Sequence, residues 1–161
     1  MADVATRYEV RDTDGALLLH GDWQFVAPDL LTDAGPETAV LLSLFTDGLA
    51  HEDDVLPDVH SADRRGWWAD TNAPEGPIGS RLWLLAREKE TEEVRARAEF
   101  YAREALQWML DDEAADQIDV TATWVERGRL DVEVAIYREG KLIFSKPYPL
   151  IWAEVQRNAI R

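Results

Sequence analysis

The residue types that could do chemistry gather between positions 51 and 81. His51 opens an acidic run, HEDDVLPDVHSAD, that also holds His60 and ends at Asp63. Imidazole and carboxylate groups together can ligate a divalent cation. This spacing, however, matches no defined ligand motif, and a run of this kind ordinarily forms a solvated acidic loop. The third histidine, His20, stands apart from it. With 32 acidic residues, a carboxylate pair for general acid–base work can always be drawn. Such work needs one acid held in an apolar pocket, and no stretch singles one out. GPIGSR, ending at Arg81, lacks the lysine and the spacing of a phosphate-binding loop. No serine sits in a nucleophile elbow, and no pyrophosphate-binding glycine fingerprint is present. Cysteine is absent, which excludes disulfides, thiol catalysis and cysteine-ligated metal. The expectation is a protein without cofactor or catalytic residues, not an enzyme.

The stretch that does stand out is SADRRGWWAD, in which Arg64, Arg65, Gly66, Trp67 and Trp68 are consecutive. Adjacent tryptophans between glycines and prolines fit neither helix nor strand patterning. Two readings compete. The tryptophans plug the core from a loop while Arg64 and Arg65 pair with local acids such as Asp53, Asp54, Asp58 or Asp63. Alternatively the group is an interface, since tryptophan and arginine are the types most enriched at binding hot spots. In extended backbone the two rings point opposite ways, so one can face in and the other out. At least one ring is expected to be buried, with Arg64, Arg65 and Arg81 presented to a neighbour. Gly66 admits the bulky pair, and Gly79 leads into Ser80 as a helix cap for RLWLL.

The elements that must position this stretch form an α+β order. YEVRDTDGALLLHGDWQF reads as an N-terminal β-hairpin about the DTDG turn. In LTDAGPETAVLLSLFTDG, Pro36 suits the first turn of a short helix, with Thr32 or Asp33 as caps and Ala39, Leu42 and Phe45 on one face. The apolar run is nearly continuous, so a buried strand is its rival. Residues 49–80 form a long Gly/Pro loop, and long loops in compact domains are usually functional or disordered. From about Thr91 an amphipathic helix follows, with Val94, Ala98, Tyr101, Ala105 and Trp108 or Met109 on one face and Glu92, Arg95, Glu99 and Arg103 on the other. RLWLLAREK can be a separate helix, broken near Glu90 or Thr91. A C-terminal antiparallel β-meander closes the chain: QIDVTATW, RLDVEVAIY and KLIFSK, the last stopped by Pro147 and Pro149. YPLIWAEVQRNAI is an apolar tail.

Composition bounds the partners. The 161 residues suit one domain, 1–161, and the net charge of −15 repels polyanions, so no nucleic-acid partner is expected. No apolar run spans a bilayer and MADVATRYEV lacks a signal-peptide core, so no membrane partner is expected either.

AVLLSLFTDGLAHEDDVLPD, then DRRGWWAD, then PIGSRLWLLAREK resembles the Mu-like phage tail protein family, which makes baseplate wedge proteins of contractile tails and is related to the sheath-initiator family of T-even phage baseplates. The likeness runs from about Val10 to Trp124, and DRRGWW followed by GSRLW and a helix is its specific part. The resemblance implies structural work in the virion tail baseplate, in a six-fold arrangement around the tail axis, assembled in the cytoplasm of the host bacterium. It implies a wedge scaffold protein as one partner, joined through helices, and the tail sheath protein as another. The terminal sheet would template the first sheath ring by exchanging strands, which suits an open edge in the meander. The interface residues so implied are Arg64, Arg65, Trp67, Trp68, Ser80, Arg81, Val132, Val134 and Ile136.

One departure stands out. The wider sheath-initiator family carries Glu-Pro-Arg after its long helix, where this chain has WMLDDEAADQIDV. Two rival functions follow from other relatives of the family: an acidic lysozyme-like glycan hydrolase, and a regulatory protein-binding module like a bacterial anti-adaptor.

Overall fold

The computed structural model describes residues 35–68, 70, 77–126 and 128–150, together with the backbone of Ile151 and of strand residues between 3 and 33. The apolar tail beyond Ile151 lies outside the described residues. The architecture is α+β: a few helices packed against a three-stranded antiparallel sheet.

In the N-terminal part, β2 (Thr6–Thr13) pairs antiparallel with β3 (Ala16–Trp23), from Thr6↔Trp23 to Thr13↔Ala16. Short strands flank this pair. β1 (Asp3–Val4) lies against β6 (Thr32–Asp33), and β4 (Phe25–Val26) against β5 (Asp29–Leu30). The backbone of Thr32 and Asp33 therefore lies in a strand, and the N-cap position of the next helix falls to Pro36.

That helix, α1 (Glu37–Phe45), starts behind Pro36, which fixes the entry but offers no side-chain cap. Its buried residues are Thr38, Val40, Leu41, Ser43 and Leu44, while Leu42 is half exposed. Of the shared face Ala39, Leu42 and Phe45, Phe45 packs against the core while Leu42 is turned out of it. An almost continuous apolar run carries no periodic contrast, so the packing partner chooses the face. Here Phe45 meets Tyr148 edge-on at 5.9 Å.

α2 (Glu92–Ala105) begins where its sequence says it should. Thr91 Oγ1 accepts from the Val94 amide at 3.2 Å, and Glu92 and Glu93 occupy the positive first turn. Val94, Ala98, Tyr101 and Ala102 are buried. A short α3 (Trp108–Asp111) follows, burying Met109 rather than Trp108. RLWLLAREK forms a 3-10 helix over Leu82–Leu85.

The meander is β7 (Gln117–Glu126), β8 (Arg129–Arg138) and β9 (Lys141–Ile151), with β8 central. Its core face is Ile118, Val120 and Ala122 on β7 and Leu130, Val132, Val134 and Ile136 on β8. α2 covers this face. Pro147 and Pro149 do not stop β9. They pair with Glu133 and Asp131 and the strand continues to Ile151. A proline is tolerated in an edge strand when its missing N–H would point away from the neighbour, and β9 is an edge strand.

Candidate functional site

The segment 49–81 is built around one buried cation. Arg81 is only 8% exposed. Its Nε and one terminal nitrogen reach the two Glu104 oxygens at 2.9 and 2.8 Å, and its other terminal nitrogen reaches both Asp54 oxygens at 3.0 and 2.9 Å. The guanidinium also lies 4.6 Å from the centroid of the Tyr101 ring. It thereby joins the acidic loop to the last turn of α2. Burial alone pushes the Asp54 carboxyl up, but the hydrogen bonds from Arg81 and the His51 amide, with the Arg81 charge, outweigh it and hold Asp54 below the ordinary carboxylate range. Burial opposes the Arg81 charge too, and Glu104 and Asp54 overcome it. Arg81 is therefore a structural tie rather than a cation presented to a neighbour. Its sequence position beside apolar LWLL was a signal of burial, but partners at 54 and 104 were not legible.

Ser80 holds a second tie. Its hydroxyl donates to the Leu44 carbonyl at 2.6 Å and accepts from the Leu82 amide at 3.3 Å. It thus supports the start of the 3-10 helix from one residue before the formal cap, Arg81. The Ser80 amide donates to Thr46 and the Gly48 amide donates back to the Ser80 carbonyl, forming a parallel bridge between Asp47 and Ser80. Gly79 makes this possible. At φ +100° a side chain is strained, and a Cβ there would stand 2.5 Å from the Thr46 carbonyl oxygen.

The arginines of DRRGWW fold back onto the chain, though Arg65 stays about half exposed. Arg64 donates to the carbonyls of His51 and Glu52, while its own carbonyl accepts from Ala50 at 3.0 Å. Arg65, at φ +55°, stacks 4.3 Å from the Trp83 ring centroid and pairs with Asp47 at 2.6 Å. The tryptophans go the other way: Trp67 is 38% exposed and Trp68 83%, their rings 5.6 Å apart. The expectation of a buried member is overturned. The core is already filled by leucines and Tyr101; of the three arginines Arg81 is buried, while Arg64 and the half-exposed Arg65 fold back onto carbonyl and carboxylate oxygens of the chain itself. Asp70 pins the tryptophan turn by accepting from the Trp67 and Ile78 amides at 3.0 and 3.1 Å.

The acidic run does similar work. Asp54, Asp58 and Asp63 accept from the amides of His51, His60 and Arg65 at 2.8, 3.0 and 2.8 Å. Among the described residues no group of three or more His, Asp or Glu side chains could hold a metal ion.

On the sheet, Val132, Val134 and Ile136 are fully buried on central β8 and face no neighbour. The sheet edges lie elsewhere. On β7 the Ala122 amide donates to Glu99 at 2.9 Å, and the Ala122 and Val120 carbonyls accept from Arg95 and Arg103 at 3.3 and 3.2 Å. Side chains of α2 thus occupy the middle of the β7 edge. Alternation then turns the even residues of β8 toward β9, so the positions of Pro147 and Pro149 face outward from the sheet. The outer edge of β9 has lost those two donors.

A family model described as phage protein GP46 matches residues 36–142, from the entry to α1 to the first residues of β9. Baseplate protein gp46 of Escherichia phage Mu is 47% identical over 108 residues, 67% of this chain and 73% of that protein. Mu-like prophage FluMu protein gp46 of Haemophilus influenzae is 33% identical over 127 residues, 77% of this chain and 86% of that protein.

Proposed function

The chain belongs to the phage protein GP46 family of Mu-like phages, and on that footing we propose that it is a structural subunit of a phage-tail baseplate rather than an enzyme. The observation that carries the reading is a pinned loop that leaves large apolar side chains in water. Val55, Val59 and Trp68 are 76%, 80% and 83% exposed, on backbone tied down by Arg64, Arg81 and the aspartate caps. Apolar area held out by a preorganised loop is the mark of a surface made to be covered by another protein. Against glycan hydrolysis by Asp54, a half-buried carboxylate of the loop, stands its lowered pKa: the bonds from Arg81 favour the ionised form over the protonated form a general acid needs.

The finer reading assigns the Trp67–Trp68 turn and the helices to the wedge scaffold, in a six-fold ring. Contact with the sheath falls to the start of β9. There Leu142 and Ile143 are about half exposed beside a β-bulge, and Ser145 keeps an outward amide ahead of the prolines. β8 itself has a partner strand on each side and offers no edge for exchange.

The test replaces the gene with an epitope-tagged copy in a strain that assembles tails. Gold-labelled antibody should mark the baseplate end of purified particles, and deletion of the gene should leave tubes and sheaths unassembled. Label along the sheath, or normal tails after deletion, overturns the reading.

A further inference from the structure

The apolar face of α1 that the core leaves unused has a counterpart across a groove. Ala39, Leu42 and Ser43 of α1 form one wall; Ala105, Trp108, Asp111 and Asp112 form the other, with Ile78 between. The groove measures about 370 Å³. Leu42 and Trp108 are 50% and 40% exposed, so their apolar surface is uncovered. Trp108 is held in place by its Nε1, which donates to Ser43 Oγ at 3.0 Å. That bond ties α3 to α1 and fixes the wall. Two exposed carboxylates, Asp111 and Asp112, stand on the same wall as the ring, on a chain whose net charge is −15.

We propose that this groove is a docking site for a partner-protein segment whose aliphatic side chains are flanked by lysine or arginine. The apolar residues cover Leu42, Ile78 and Trp108, and the flanking cations meet Asp111 and Asp112. The occupant's charge follows from the groove: an acidic segment would meet two carboxylates at close range, whereas a basic one is attracted by them. An aromatic wall beside carboxylates further suits a cation on a long apolar stem. The proposal rests on the baseplate reading only in taking the partner from an assembly; its chemistry comes from the groove.

The test uses the full chain and two synthetic dodecapeptides with one leucine–alanine helical core, one flanked by lysines and the other by glutamates, titrated by fluorescence anisotropy. The lysine-flanked peptide should bind at least tenfold more tightly. Leu42→Asp should abolish binding while leaving the melting temperature unchanged, and the double variant Asp111→Lys, Asp112→Lys should reverse the preference. A second double variant, Asp119→Lys with Glu133→Lys on the far face of the sheet, makes the same change of net charge and should leave the preference intact. Binding that survives Leu42→Asp, or that this far-face variant reduces as much as the groove variant does, would mean attraction by net charge alone and overturns the proposal. So does failure of both peptides to bind. A tenfold gain in affinity on removing residues 152–161 would show the chain's own tail as the occupant, and a dimer that Leu42→Asp dissolves would show a second copy; each also overturns it. Because no tail particle enters the experiment, its failure leaves the baseplate reading standing, and misplaced gold label would leave the groove standing.

Discussion

Arg81 and Glu104 meet through two parallel N–H···O bonds of 2.9 and 2.8 Å, although 23 residues separate them, and Asp54 closes on the guanidinium from the opposite side. The contact fastens the loop 49–60 to the end of α2. The exposed apolar loop can be presented rigidly because this tie lies beneath it.

Removing the cation alone should therefore be costly. Arg81→Ala leaves the Asp54 carboxylate covered and unpaired, so it should lose about 3 kcal/mol in urea unfolding. That is the low end of the range for a broken buried pair, because Glu104 can still reach water. A loss under about 1 kcal/mol would mean that the cluster does not fasten the loop.

The same cluster sets a pH dependence. Asp54 has a folded pKa below its ordinary 3.8, so its contribution is complete above that value and is lost as pH falls through the folded pKa. The stability gap between wild type and Asp54→Asn should be constant from pH 7 to 5 and shrink below about 3.8. Arg81 shifts upward and stays charged throughout, so it adds no slope in this range. A gap that widens on acidification would reverse the assigned sign.

The exposed Trp68 ring and the Arg65 cation stacked on Trp83 depart from the roles that the sequence suggests. Trp68→Ala should change unfolding by no more than about 0.5 kcal/mol while impairing incorporation into tails. Arg65→Ala, which loses the stack on Trp83 and the Asp47 pair, should cost about 1 kcal/mol, since both partners are about half exposed. Normal tail yield from Trp68→Ala would remove the ring from the interface.

The guarded edges can be opened separately. Glu99→Ala frees the Ala122 amide, and Pro147→Thr with Pro149→Thr restores two outward donors on β9. Both variants should self-associate at concentrations where the wild type stays monodisperse by light scattering. Equal scattering from all three would show that these edges need no protection.

What the sequence determined by itself is the part of the fold whose signal is local. The spacing of Val94, Ala98 and Tyr101 and the Thr91 cap specify α2; the alternation through Ile118, Val120 and Ala122, then Val132, Val134 and Ile136, specifies β7 and β8 and their buried face. Each is a repeat that reports how a surface divides between core and water. Family membership was legible as a resemblance, in DRRGWW followed by GSRLW. Tertiary structure decided the rest. β9 runs through its prolines because it lies at an edge, and α1 buries Val40, Leu41 and Leu44 because of where it packs. Arg81 turns inward because Asp54 and Glu104 converge on it, and Trp68 stays out because the core is filled without it. No window of sequence contains those partners. A charge is buried only where opposite charge and hydrogen-bond acceptors reach it, and that convergence comes into being only with the folded chain.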